Sequence, residues 1–514
     1  MTLRPRTALA IVALLFTLAA CEPNRFVSGW VPYWGATAGR AGFSDANAST
    51  LFSEVSPFWF SATSATTISQ VGTESDLTAT INAARRAGLP VLPSMTDGTG
   101  KLVMAGILAD PAQRAVHVQA IVNLVAARGF DGIDLDYEGF AFTDGKASWP
   151  TTQPNWVAFV SELGVALHDR GKLLSVTIPP TWGTTSPPSG YWVYDQQAIA
   201  GATDRIRLMV YDFSVGSPGP IAPMSWVNQV ITYSGARVPP SKLQLGVPAY
   251  GRHWATKQVS SETCPDGALS TKSVQMNAAP ALAASRGLTP TRNTTYGEMT
   301  FGWAEKVTGP RGAPIPPPIL VPPSNQIPSI MGAADPTGLQ PAQRLKPLSI
   351  VTCTVQHTVY YPDAESIRQR AAAALGAGWS GIVIWALGYE SADVFDALGS
   401  ISKQRPGGSP SLTLDSNPPA VTGTSVRVTG WAVDPEFDLP VAVRITVGAF
   451  DSTVLARLDR PDVAAALPGV GPFHGFDQNI TLAPGSYTLC ITVKGWVGQP
   501  DSAPACQPVT IGPL

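Results

Sequence analysis

Between Phe26 and about Ser402, short apolar runs alternate with amphipathic stretches. Eight runs have the length and the β-branched or aromatic content of strands: Phe26–Tyr33, Val55–Ser61, Pro90–Met95, Phe130–Tyr137, Leu173–Pro179, Arg205–Asp212, Leu243–Ala249 and Gly381–Leu387. Several are near-continuous in apolar residues, as strands are when both faces of a parallel sheet are covered. The stretches between them repeat at helical spacing. Val118, Ile121, Val122 and Val125 form one stripe, in a segment that opens at Asp110-Pro111 and closes at Gly129. A capping aspartate, a proline at the first helical position and a glycine past the end are helix-boundary signals. Trp156, Val160, Leu163 and Leu167 form a second stripe, followed by Gly171. A third helix starts near Pro362-Asp363, carries the Ala371–Leu375 run and stops at Gly376 and Gly378. Eight strand–helix alternations predict an α/β fold, a TIM (β/α)8 barrel over residues 26–402.

The longest insertion falls between the seventh and eighth strands, about residues 255–355. A helix is expected near Ser273–Ser285, and the proline-rich stretch from Pro310 to Pro347 reads as an irregular surface loop. Residues 403–419 are rich in Pro, Gly and Ser and read as a linker. Beyond them the period becomes two. Val441, Val443, Ile445 and Val447 alternate with Ala442, Arg444 and Thr446; Tyr487, Leu489, Ile491 and Val493 alternate in the same way. This predicts a C-terminal all-β sandwich over 420–514.

One predicted barrel strand carries charge where charge is expensive. Residues 131–138 read Asp-Gly-Ile-Asp-Leu-Asp-Tyr-Glu. In an extended chain Asp134, Asp136 and Glu138 share one face at a spacing of roughly 7 Å, and Ile133, Leu135 and Tyr137 take the other. Like charges at that range raise each other's pKa. Such a row points to acid/base work in which one carboxyl keeps its proton near neutral pH. An acidic edge strand facing water, or a site for a hard cation such as calcium, also fits the octapeptide. The buried-looking neighbouring strands argue against the first. The lack of a glycine-turned loop to wrap an ion argues against the second, so no metal and no cofactor is expected.

The chain has 514 residues, enough for a large core and a second domain. Only 14% are charged and the net charge is −2, with no long basic run, which excludes nucleic acid as a partner. At the N-terminus Arg4 and Arg6 precede Ala8–Ala20, an apolar stretch too short to span a bilayer comfortably. Residues 1–20 therefore read as an export signal. The sequence Leu18-Ala19-Ala20-Cys21 resembles the bacterial lipoprotein box. That resemblance implies lipidation of Cys21 and a membrane-anchored protein facing the cell wall or exterior. An ordinary cleaved signal peptide and a secreted protein are the alternative. The four remaining cysteines suit two disulfides in an exported protein. Cys490 and Cys506 are close in sequence, and Cys264 and Cys353 bracket the irregular insertion, so they are paired that way; metal binding is the alternative.

The octapeptide matches completely the Asp-x-x-Asp-x-Asp-x-Glu signature of glycoside hydrolase family 18, the chitinase family. Other motifs follow in order. Gly29-Trp-Val-Pro-Tyr-Trp34 resembles the family's first strand, Met209-Val-Tyr-Asp212 its sixth, and Gly246-Val-Pro-Ala-Tyr-Gly-Arg-His-Trp254 its seventh. Trp385 sits where the family places a sugar-platform tryptophan. The resemblance covers roughly residues 26–402. It implies that Glu138 is the general acid/base, that Asp136 orients the substrate's acetamido group, that Asp134 is the carboxyl behind it, and that Tyr211 hydrogen-bonds the acetamido carbonyl. Met209 and Asp212 would line the cleavage subsite and Trp385 its floor, although Met209 and Trp385 also fit ordinary barrel packing. Tyr33 and Phe60 are the expected substrate contacts from the first two strands.

The family's substrate-assisted mechanism implies a polysaccharide with N-acetylglucosamine and no metal; a monomer is expected. The third strand departs from the family: Pro93-Ser-Met-Thr-Asp-Gly98 replaces a Ser-x-Gly-Gly turn. The second, Val55–Ser61, looks closer to the bacterial branch of spore and cell-wall hydrolases. Chitin and peptidoglycan both stay open as substrates, as does a non-catalytic glycan-binding role on the same barrel. The C-terminal module resembles those of exported wall-active enzymes. Its Trp431 and Trp496 suit either sugar stacking or, for Trp431, the sandwich core.

Overall fold

The computed structural model describes residues 21–512 except 24, 45–49, 312–348, 402–403, 407–409, 435–439, 468–469 and 496–500. Eight parallel strands close on themselves. They are β1 (Val27–Pro32), β2 (Phe52–Ala62), β3 (Ser94–Asp97), β4 (Gly132–Asp136), β5 (Leu173–Ile178), β6 (Arg205–Met209), β7 (Leu243–Pro248) and β8 (Gly381–Trp385). Each pairs with the next, and β8 pairs with β1, Ile382 opposite Val27. The expected TIM barrel is the fold observed. Every strand overlaps its predicted run, but β2 extends beyond Val55–Ser61 at both ends, β3 is shifted to Ser94–Asp97 from Pro90–Met95, and β4 ends at Asp136 rather than Tyr137.

The helices stop and start where the sequence signals them. Asp110 accepts from the backbone N–H of Ala112 and caps a helix over Pro111–Arg128, which ends at Gly129 with φ +64°. Asp363 accepts from Ser366 N and caps Ala364–Gly376. The helix Trp149–His168 buries Trp156, Val160, Leu163 and Leu167. These faces pack on the outward residues of the strands, such as Ile133 and Leu135 of β4, in one continuous core.

The insertion is more ordered than its composition suggests. Its described residues form a five-stranded antiparallel sheet built on Tyr250–Lys257 and Ser349–Tyr361. The helix expected over Ser273–Ser285 is confined to Ala279–Ala284, because Ser270–Gln275 pairs as an edge strand with Tyr250–Lys257. Most of the proline-rich stretch lies outside the described residues. Cys264 and Cys353 are bonded, as paired from the sequence. The bond lies toward the end of the sheet far from the barrel, not at its base, because strand Ser349–Tyr361 enters the barrel through its other end. The sheet is tied to the barrel by a buried ion pair. Glu298 accepts from Ile221 N, Ala222 N and Arg370 Nη2, the last at 3.0 Å.

Two four- to five-stranded sheets form the C-terminal sandwich around Val441, Val443, Ile445, Leu489, Ile491 and Val493. Cys490 and Cys506 face each other across two neighbouring strands and are bonded. The sandwich begins before the expected end of the linker, since Ser411–Leu414 already pairs with Ser425–Val433. Trp431 is not in its core: Val428, Gly430 and Ala432 turn inward and Trp431 takes the outer face, half-buried. Trp496 lies outside the described residues. The module docks on the barrel's N-terminal end. Leu455 packs on Leu92 and Leu173, Arg457 donates to Gly201 O, and Lys242 sits 4.7 Å from the Phe473 ring.

Arg370 is 1% exposed and Glu298 is fully buried. Removing one partner leaves the other charge stranded, which costs about 3–5 kcal/mol. Arg370→Leu is therefore expected to lower the urea midpoint of barrel unfolding strongly. Glu298→Gln on top of Arg370→Leu should restore part of the loss; a double variant no more stable than the single would contradict this reading.

Candidate active site

The carboxyl-terminal ends of barrel strands carry the functional groups of this fold, and here the acidic row reaches that end along β4. Asp134 lies deepest, fully buried. Its Oδ1 accepts from Ser175 Oγ at 2.6 Å and Thr177 Oγ1 at 2.9 Å, both on β5. Its Oδ2 accepts from Trp30 Nε1 on β1 at 2.9 Å and Ser94 Oγ on β3 at 2.7 Å. Arg207 of β6 stands 3.1 Å from the same oxygen.

Asp136 is one step nearer the rim and differs sharply. It is 4% exposed, and its Oδ1 is buried without a hydrogen-bond partner. Burial, and then the charges of Glu138 and Asp134, hold its carboxyl well above the usual carboxylate range, with Arg207 opposing. Glu138 does not extend the strand. Its backbone is helical (φ −92°, ψ −9°) and opens a short helix, Gly139–Phe142. The row is thus two strand residues and one rim residue, because the chain must turn where the barrel ends. Glu138 is still close enough for its charge to act on Asp136. Burial, and then the charge of Asp212, push its carboxyl up to about 7.

Asp212 follows β6 in a left-handed conformation, φ 60°, which aspartate tolerates better than most residues. It is held there by three donors. Tyr250 Oη donates at 2.6 Å, and Arg252 donates through Nε at 3.1 Å and Nη2 at 2.7 Å. Tyr211 lies among Asp136, Glu138 and Asp212, and burial with these charges holds its hydroxyl well above the usual tyrosine range. Gly246 makes room for the β6 backbone and for this ring: a Cβ there would lie 2.5 Å from Leu208 O and 3.2 Å from the ring. Met209 ends β6 and is 9% exposed.

Trp385 ends β8, with a cis peptide bond to Ala386. Its ring meets Phe58 at 5.0 Å, Trp30 at 5.9 Å and Trp34 at 6.1 Å, all edge-on. These form an aromatic floor, and Trp34 is 41% exposed above it. Tyr33 stands beside the floor rather than in it, between Trp34 at 4.8 Å and Trp59 at 6.4 Å. Phe60 does not join. A register shift in the β2–β3 pairing lies between Phe58 and Phe60. Phe58 therefore faces inward, while Phe60 packs on Phe130 in the outer core. Sequence reasoning also missed Tyr191, whose hydroxyl is pushed up by burial and then by Glu138 and Asp212. It lies in a long segment after β5 that no periodic pattern marks. Arg207 was hidden inside an apolar strand run, although a charge there was itself a signal.

The family model for glycosyl hydrolases family 18 matches residues 61–390. The chain belongs to that family. Among curated relatives, the glycosylase YdhD of Bacillus subtilis is 30% identical over 29% of this chain and 33% of its own length. Chitotriosidase-1 of Mus musculus is 28% identical over 30% of this chain and 37% of its own length. The chain thus spans about a third of these relatives. Among solved structures, a chitinase from Chromobacterium violaceum superposes with TM-score 0.55 at 21% identity, over 74% of this chain and all of the other. The spore cortex-lytic enzyme SleL of Bacillus cereus gives 0.52 at 18% identity, over 73% and 74%.

The Glu138 shift has a consequence for stability. An ordinary glutamyl carboxyl titrates near 4.5 and Glu138 at about 7. Across that window the folded state holds the extra proton. The stabilisation is full below the lower value and is lost as pH rises through the upper one. Glu138→Gln has no such dependence. Its melting temperature relative to wild type is expected to climb between pH 4.5 and 7; a difference that stays constant with pH would place the Glu138 carboxyl elsewhere.

Proposed function

We propose that this chain hydrolyses β-1,4 bonds in an N-acetylglucosamine-containing glycan, using the substrate's own 2-acetamido oxygen as nucleophile. The observation that carries this reading is the state of the carboxyls around Glu138. A retaining glycosidase with a protein nucleophile needs a second, free carboxylate across the scissile bond. Here Asp134 is enclosed by donors, Asp212 is occupied by Tyr250 and Arg252, and burial and the neighbouring carboxyls hold Asp136 well above the usual carboxylate range. Glu138, titrating at about 7, has the character of an acid that donates and then takes back a proton.

Glu138 protonates the leaving oxygen and later activates water. The acetamido oxygen attacks the anomeric carbon and gives an oxazolinium-like ring, with Asp136 against its nitrogen and Tyr211 against its carbonyl oxygen. Trp385 carries the sugar, with Met209 and Asp212 beside it and Tyr33 at the edge of the floor; Trp34 and Phe58 extend the aromatic surface. The same geometry suits chitin and the N-acetylglucosamine of peptidoglycan. Relatives named for chitin and for cortical fragments are both found, and product analysis on the two glycans separates them.

The acid's assignment predicts that Glu138→Gln lowers kcat by about 100- to 10,000-fold while retaining oligosaccharide binding. A thiazoline analogue of N-acetylglucosamine should inhibit the wild type competitively, because it resembles the cyclic intermediate. Undiminished turnover by Glu138→Gln would remove the acid from the scheme.

We also propose that the protein is exported and held at a membrane through lipid on Cys21, with residues 1–20 removed. The Leu18-Ala19-Ala20-Cys21 sequence supports this. Cys21→Ser is expected to move the protein from the membrane fraction to the soluble one; a native N-terminus downstream of residue 21 would contradict it.

A further inference from the structure

The barrel interior of this fold is usually filled by branched apolar side chains. Here its centre holds a guanidinium. Arg207 points inward from the middle of β6 and is fully buried. A buried charge is tolerated only when paired and hydrogen-bonded. Its Nε donates to Gln244 Oε1 of β7 at 3.0 Å, Nη1 to Ser56 Oγ of β2 at 2.7 Å, and Nη2 to Glu54 Oε1 of β2 at 2.7 Å. Nη1 also lies 3.1 Å from Asp134 Oδ2, and the guanidinium sits 5.6 Å from the Trp30 ring.

From this geometry we infer that Arg207 is a positioning residue for the hydrolysis proposed above: through Asp134 it keeps the exchangeable proton of the acidic row on Asp136 and Glu138. The inference rests on that functional reading. Two groups that can only donate, the Arg207 guanidinium and the Trp30 indole, converge on Asp134 Oδ2. A proton on that oxygen would face both of these donors, and the acceptor left to it is the Ser94 hydroxyl at 2.7 Å. Oδ1 is already served by Ser175 and Thr177. Asp136, next along the same face, is the reverse case: its buried Oδ1 has no donor to stabilise charge.

The titratable groups facing Arg207 are Glu54 from β2 and Asp134 and Asp136 from β4. The other strands present Ser28 and Trp30 (β1), Ser94 (β3), Ser175 and Thr177 (β5), Gln244 (β7) and apolar Val383 (β8), which packs on Trp30. Without the guanidinium, Asp134 would share the barrel with two other carboxyls and no compensating charge. Asp136 would then lose its proton to the wrong neighbour, and the row would be arranged for neither step.

The test is the pH profile of kcat/KM on a chitin oligosaccharide for wild type, Arg207→Gln, Arg207→Lys and Glu54→Gln. The acid limb reports uptake of a further proton by the buried row and the basic limb loss of the proton from Glu138. In Arg207→Gln the acid limb is expected to move up by about one pH unit or more, with the basic limb moving less. Arg207→Lys keeps the charge, so its rate falls but its acid limb stays near the wild-type position. Glu54→Gln leaves the guanidinium to Asp134 alone, and its acid limb moves to lower pH. If Arg207→Gln does not fold, the opposite responses of Arg207→Lys and Glu54→Gln decide the matter. Variants that lose rate with no movement of the acid limb would make Arg207 a packing residue and overturn the inference. A wild type that cleaves no oligosaccharide would overturn the functional reading itself, and that result is seen before any variant is compared.

Discussion

Asp134 is a carboxylate in a space that water does not reach, and the barrel is organised around satisfying it. Its donors come from β1, β3, β5 and β6. The arginine among them needs its own partners, and β2 and β7 supply Glu54, Ser56 and Gln244. Every strand but β8 thus contributes a polar group to one connected network. A half-satisfied network of this kind is worse than an apolar core. Closure of the barrel, the register of its strands and the state of its acids are therefore one constraint.

That constraint sorts three carboxyls of one short segment into three states. Asp134 has every oxygen occupied. Asp136, one step along the same face, has a buried oxygen with none, and its carboxyl is held well above the usual carboxylate range. Glu138 leaves the strand for the rim, keeps part of its surface open, and titrates at about 7. Asp212, which raises Glu138, is itself fixed by Tyr250 and Arg252 from the first strand of the insertion. The insertion sheet is thus part of the site's support, and its tie to the barrel through Glu298 and Arg370 bears on the geometry of the rim.

Much of this was legible in the sequence. The eight strands were marked by apolar runs, and the helix ends at Asp110, Gly129 and Asp363 by capping chemistry that acts within a few residues. The acidic octapeptide marked the site because its charges contradict the burial of its strand. What the sequence did not carry depends on contacts across the barrel. Phe58 and Phe60 differ only by a register shift against β3, which no local pattern shows. The strands of the insertion went unread because they are stabilised by pairing over long separations, such as Val307 with Cys353. Trp431 took the outer face because the alternation of its strand gives the inner one to Val428 and Ala432.

The sandwich docks on the barrel end opposite the rim that carries Glu138. The account therefore stands or falls on the chemistry at that rim, and above all on the identity of the nucleophile. The most direct measurement compares a chitin hexasaccharide with its fully deacetylated counterpart at equal concentration, following binding and cleavage of each. The account predicts that both bind and only the acetylated chain is cut. Efficient cleavage of the deacetylated chain would contradict it, because a carboxylate of the protein would then be the nucleophile.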